Sequence, residues 1–151
     1  MKLRKLNNSD KKATFNWSND SLTRKNSFSS EENKYSDHSI WFDKKLDDEN
    51  AYYLIGEINN VRMGLIRFDY DVSNNAYIIG IKIDETFRGK KLSSPFLEKA
   101  CEKFLKTKDF KILAYIKKTN TSSIKAFERA GFKVVKLQKE TNNILKYYYE
   151  K

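Results

Sequence analysis

Residues 76–105 change hydrophobic period twice. Ala76-Tyr77-Ile78-Ile79-Gly80-Ile81-Lys82-Ile83 is rich in β-branched and aromatic residues and reads as a strand buried on much of both faces. A polar turn follows at 84–94, and then Phe96, Leu97, Ala100, Cys101, Phe104 and Leu105 recur as one face of a helix that Pro95 opens at its first position. Downstream, 111–116 predicts a strand, and Asn120 and Gly131 bracket another helix. Upstream, 2–6 predicts a strand, and Asn7-Asn8-Ser9-Asp10 caps a short helix to about Trp17. Ser29-Ser30-Glu31-Glu32 offers a capping box for a helix carrying Tyr35, His38, Trp41, Phe42 and Leu46 along one side. Residues 51–57 and 61–69 form a hairpin around Asn59-Asn60, and 133–139 with 144–149 form a second. The expected order is strand, two helices, three strands, helix, strand, helix, two strands, a mixed α/β sandwich around one central sheet. No repeat or linker interrupts residues 1–151, so a single domain is expected, with 18–33 polar enough to be mobile.

Charge narrows the partners. Thirty Lys and Arg against 20 Asp and Glu give a formal charge of +10, which favours polyanions. The lysines are scattered along the chain, and no recognition helix or aromatic RNA-binding strand accompanies them, so a nucleic-acid role ranks low. Cys101, the one cysteine, lies on the apolar helix face and reads as a packed thiol suited to a reducing compartment. No apolar run reaches membrane length, and Met1-Lys2-Leu3-Arg4-Lys5 lacks the apolar segment of a signal peptide, which points to a soluble cytoplasmic protein.

The turn at 84–94 carries the chemistry. Arg88, Gly89, Lys90 and Lys91 lie between a strand and a helix N-terminus, where backbone N–H groups and the helix dipole converge on one spot. A solvated basic turn is the plainer reading. The second helix shifts the balance, because Asn120, Ser123, Phe127, Gly131 and Phe132 follow it at fixed spacing. With Arg88-x-x-Lys91-x-Ser93 before the first helix, the chain resembles the GNAT superfamily of N-acetyltransferases. It departs from the pattern at Lys91 and Ser93, where the family has glycine, and glycine or alanine.

The resemblance implies an α/β, mostly antiparallel central sheet with a V-shaped splay, flanked by helices, and acetyl-CoA as acetyl donor. It assigns the pantetheine arm to the backbone of Ile81, Lys82 and Ile83. It places the pyrophosphate over Arg88, Gly89, Lys90, Lys91, Leu92 and Ser93, with Asn120, Ser123 and Phe127 alongside. Many relatives place a tyrosine acid where this chain has Phe127, so either the thiolate leaves without side-chain help or Tyr115 or Ser123 substitutes. Tyr115, Glu57 and Asp69 are base candidates by strand position alone, with Tyr115 and Glu57 the catalytic candidates.

Trp17, Asn19 and Arg24, followed by His38-x-x-Trp41-Phe42, resemble the branch that acetylates nucleotide-linked amino sugars, including the pseudaminic acid type. The resemblance makes Trp17, Asn19, Arg24, His38 and Trp41 the acceptor side. The plainer readings are a loop whose Trp17 plugs the core and a hydrogen-bonded packing histidine. The alternatives to a small amine acceptor are protein N-terminal acetylation and a non-catalytic acyl-CoA-binding module. The aromatic run Tyr147-Tyr148-Tyr149 offers a strand that could pair across a homodimer.

Overall fold

A computed structural model describes residues 1–136 and 143–150. Its strands are β1 (Lys2–Lys5), β2 (Ala51–Ile58), β3 (Val61–Asp71), β4 (Ala76–Ile83), β5 (Lys111–Lys117), β6 (Phe132–Val134) and β7 (Ile144–Tyr149). Its helices are α1 (Lys11–Asn19), α2 (Ser21–Asn26), α3 (Tyr35–Leu46), α4 (Ser93–Leu105) and α5 (Thr121–Arg129). All seven strands form one sheet in the order β1-β2-β3-β4-β5-β7-β6. Every neighbouring pair is antiparallel except β4 and β5. The fold is the mixed, mostly antiparallel α/β sheet that the sequence predicts.

The β2–β3 turn shows how local chemistry sets register. Asn59 and Asn60 both adopt positive φ, at 51° and 63°, a conformation asparagine tolerates better than most residues. That two-residue turn pairs Ile58 with Val61, and a register shift between Gly56 and Glu57 then brings Ala51 opposite Asp69 at the far end of the hairpin. Strand alternation then sorts side chains onto two faces. On one face Leu54, Ile66, Phe68, Tyr77 and Ile79 pack against Phe96, Leu97, Ala100, Cys101 and Phe104 of α4, with the Phe68 and Phe104 rings stacked at 4.4 Å. On the other, Tyr53, Ile55 and Leu65 form a smaller core under Trp17 of α1. Cys101 is a buried free thiol, as expected.

Several expectations are corrected. Helix α3 begins at Tyr35, not at a capping box in 29–32, because the Asn19 side-chain amide takes both backbone groups of Asn33 and holds that segment outside a helix. The stretch read as a loop after Trp17 is helical, since α1 runs to Asn19 and Asp20 caps α2. Six residues are too few to display a helical period. Pro95 is the third residue of α4, a tolerated place because the first turn has no intrahelical acceptors for its N–H groups. Tyr147 and Tyr148 of β7 pair with both β5 and β6, so neither presents a free edge for the expected pairing across a dimer. Strand β6 covers Phe132–Val134 only, and positions 137–139 of the predicted strand lie outside the described residues. Among the described residues no helix is long and apolar enough to cross a membrane.

Candidate active site

The parallel pair β4 and β5 holds together over three positions, Ala76, Ile78 and the residue between them facing 111–113. Beyond Ile78 and Leu113 the strands part, since β5 turns to pair with β7 while β4 follows β3 to Ile83. One edge of β4 is therefore left without a strand partner over 79–83. The gap is a cavity of ≈ 300 Å³ lined by Ile78 to Ile83, by Tyr115, Ile116 and Lys117 of β5, and by α2 and α5.

One mouth of the cavity is built for anions. The turn leaving β4 places Gly89 at φ 74° and Lys91 at φ 58°, both left-handed. Lys91 thus adopts a backbone conformation that suits the glycine it replaces, at a cost of about 1 kcal/mol for an L-residue. Helix α4 has no side-chain cap on its first turn, so its N-terminal N–H groups face the turn without a protein acceptor of that kind. Arg88, Ser93, Asn120, Ser122, Ser123 and Phe127 line the cavity on this side. Asn120 spends its side-chain oxygen on capping α5, accepting from the Ser123 N–H at 3.3 Å. Phe127 is buried edge-on against Phe132 at 4.9 Å and carries no transferable proton.

The other wall is the face of the sheet beneath α1 and α2. Arg67 of β3 lies across Gly80 of β4, and a Cβ at position 80 would come within 2.8 Å of the Arg67 guanidinium. Two positions along β4, Lys82 donates from Nζ to Ser18 Oγ at 2.7 Å. Burial, and secondly the Arg67 charge, bring the Lys82 ammonium down to about 7. Leu22, Thr23, Asn26, Ser27 and Phe28 close this wall from α2 and the residues after it.

The Acetyltransferase (GNAT) domain profile matches residues 1–133. The chain belongs to the GNAT acetyltransferase family. Acetyl-CoA is the acetyl donor of these enzymes. A sequence search of curated proteins returns no match. Among solved structures, a spermidine N-acetyltransferase from Vibrio cholerae in complex with CoA and spermine superposes with a TM-score of 0.82. It is 15% identical, over 97% of this chain and 93% of that one. A domain from Methanocaldococcus jannaschii superposes at 0.77 with 25% identity, over 97% and 96% of the two chains. Both likenesses concern the fold.

Within this GNAT fold the structure brings together Ile81, Lys82, Ile83, Arg88, Ser93, Tyr115, Asn120, Ser123 and Phe127 around one cavity. Gly89, Lys90, Lys91 and Leu92 form the turn at its mouth without lining it. The expected acceptor residues do not line this cavity. Trp17 donates from Nε1 to Asp84 at 2.8 Å and pins α1 to the end of β4. Asn19 holds Asn33, and Arg24 Nε donates to the Asn19 carbonyl at 3.2 Å. His38 is buried, 3.0 Å from Thr14 Oγ1, and burial lowers its pKa. Trp41 packs on Tyr53 and His38.

Glu57 lies outside the cavity, 3.3 Å from Arg4 in an ion pair between β1 and β2. Asp69 is engaged by the Tyr53 hydroxyl at 2.7 Å and by Lys45 at 3.0 Å. The cavity residues that the motif reading missed are Arg67, the Lys82 side chain and the polar residues of α2. Arg67 and Lys82 did carry a signal, since each is a charge inside an otherwise apolar strand run, Leu65-Ile66-Arg67-Phe68 and Ile81-Lys82-Ile83.

Proposed function

We propose that this GNAT protein, as one domain working in the cytoplasm, transfers the acetyl group of acetyl-CoA to the primary amine of a small nucleotide-linked amino sugar. The observation that carries the reading is the parting of β4 and β5 beside an anion-favouring turn. The unpaired edge of β4 at 81–83 offers main-chain groups to an extended arm, as an added strand would use them. The turn at 88–93 and the N-terminus of α4 face the pyrophosphate of the same ligand.

The neutral amine attacks the thioester carbonyl carbon, the C–N bond forms, and the C–S bond breaks to release the CoA thiolate. A backbone N–H of the unpaired β4 edge stabilises the oxyanion, a role in which one donor is worth about 3 kcal/mol. The amine's proton passes to water, because no carboxylate is among the described residues lining the cavity. Tyr115 lines the cavity from β5 and is the side chain we assign to protonate the thiolate.

Support for a nucleotide-linked acceptor comes from the lining charges, Arg67, Lys82, Arg88 and Lys117, which suit a diphosphate. The named Vibrio cholerae neighbour is a spermidine N-acetyltransferase, which makes a polyamine the second reading. A wall of cations opposes a polycation, so we rank it lower. The test is CoA thiol release with nucleotide-linked amino sugars, N-terminal peptides and spermidine. Release with an amino sugar and loss of that release in Tyr115→Phe are expected. Release with peptides or spermidine alone overturns the acceptor, and an unchanged rate in Tyr115→Phe overturns the assignment of the acid.

A further inference from the structure

Arg67 and Lys82 are more than general basic lining. They sit on the same face of adjacent strands, with Arg67 opposite Gly80 and Lys82 two residues further along β4. Both line the cavity on the α2 side. Arg67 Nε is buried and has no hydrogen-bond partner. Asp69, the carboxylate paired with Arg67, stands 4.0 Å from Nη1 and is held by Tyr53 and Lys45. The hydrogen-bond partner of Lys82 Nζ is the neutral hydroxyl of Ser18. Arg88 differs, since Asp20 meets it at 2.7 Å.

Two neighbouring basic side chains on one cavity wall repel each other, Arg67 has only the distant, shared Asp69 carboxylate, and a buried guanidinium N–H without an acceptor is costly. Gly80 preserves the arrangement, because any side chain there would displace the guanidinium. The arrangement becomes favourable when an oxyanion enters the cavity, accepting from Arg67 and Lys82 together.

We propose that Arg67 and Lys82 form an oxyanion subsite that holds a carboxylate or phosphate of the acceptor, so that the amine to be acetylated belongs to an anionic molecule. The subsite deepens the acetyl-transfer reading and rests on it for the amine. It sits on β3 and β4, on residues other than those of the turn at 88–93 that we assign to the donor.

The test is calorimetric binding to the protein–CoA complex of three matched amines: ethanolamine, phosphoethanolamine and β-alanine. Turnover is measured separately with acetyl-CoA. A charge-assisted pair of contacts predicts that one anionic amine binds about ten- to a hundredfold tighter than ethanolamine. Phosphoethanolamine or β-alanine leading tells phosphate from carboxylate. The preference should fall to near unity in Arg67→Gln and in Lys82→Gln, each checked for an unchanged fold by its melting curve. Equal binding of all three amines to the unaltered protein, no binding of any, or a preference that survives both substitutions overturns the subsite. Anionic preference in binding without turnover of any amine would leave the subsite standing and remove the transfer reading.

Discussion

Arg88 Nη2 lies 2.7 Å from Asp20 Oδ2, so the turn ahead of α4 and the N-cap of α2 are joined by one ion pair. Asp20 also accepts from the Thr23 N–H at 3.1 Å, which makes a single carboxylate both the cap of α2 and the counter-charge of Arg88. Burial works against its ionisation, yet Arg88 and Thr23 outweigh that and hold its carboxyl below the usual range. Asp20→Ala should remove about 1 kcal/mol of capping. It should also raise KM for the acceptor as α2 loosens. Initial rates against each substrate, with a melting curve, check this; unchanged acceptor KM would show that α2 is held by its packing alone.

Lys91 separates backbone from charge. In Lys91→Gly the left-handed strain disappears, about 1 kcal/mol, and the extra freedom of glycine in the unfolded chain offsets most of it. Stability should therefore stay within about 0.5 kcal/mol, while KM for acetyl-CoA rises because a cation has left the turn. Reversing charge in Arg88→Glu with Lys91→Glu should collapse turnover. Turnover retained by the double variant would mean that the turn does not meet the donor phosphates.

Lys82 sets a pH dependence with a definite sign. Its ammonium titrates at about 7 in the folded protein, below the ordinary 10.5, so the unfolded chain binds more protons between those values. Its contribution therefore makes the protein more stable as pH rises from 7 toward 10.5, and the penalty is full below 7. Lys82→Met should be more stable than the parent at pH 6, with the gap closing above pH 7. Urea unfolding of both proteins at several pH values, in phosphate-free buffer, isolates the difference; a constant gap would contradict it.

Asp10 gives the same sign of pH dependence in a more acidic window, but as a group whose charged form is stabilised by folding. It is fully buried and accepts from Arg4 at 2.7 and 2.8 Å, from Arg62 at 2.8 Å and from the Asn7 N–H at 2.9 Å. Burial favours protonation, but these donors prevail and hold the carboxyl below its ordinary 3.8. Its stabilisation is present above pH 3.8 and is lost as pH falls through the lower folded value. Asp10→Asn should cost about 3 kcal/mol at neutral pH. Denaturant unfolding should show that difference shrinking in acid, and a difference independent of pH would mean that the carboxylate charge plays no part.

Motif spacing marked the residues that the structure gathers around the cavity next to the turn at 88–93, because their determinants are local. A strand, a glycine turn and a helix N-terminus are consecutive in the chain, and Asn120 caps the helix that it begins. The acceptor half was not legible in this way. Trp17, Asn19, Arg24 and His38 lie off the cavity lining, and folding brings each a partner: Asp84 for Trp17, Asn33 for Asn19, the Asn19 carbonyl for Arg24, Thr14 for His38. Glu57 was placed by strand position, and its pairing with Arg4 depends on β1 lying beside β2, a contact between distant parts of the chain.

By itself the sequence determined the sheet strands as far as they are described, the helices α4 and α5, the turn at Asn59-Asn60, and the basic loop that precedes α4. Those follow from hydrophobic period, φ preference and helix-end chemistry, all of which act over a few residues. Only the tertiary structure decided that β4 and β5 part after three positions, since that depends on β7 joining β5 from the far end of the chain. It alone set Arg67 against Gly80 and Lys82 against Ser18, pairings fixed by sheet register and helix packing rather than by neighbours in sequence.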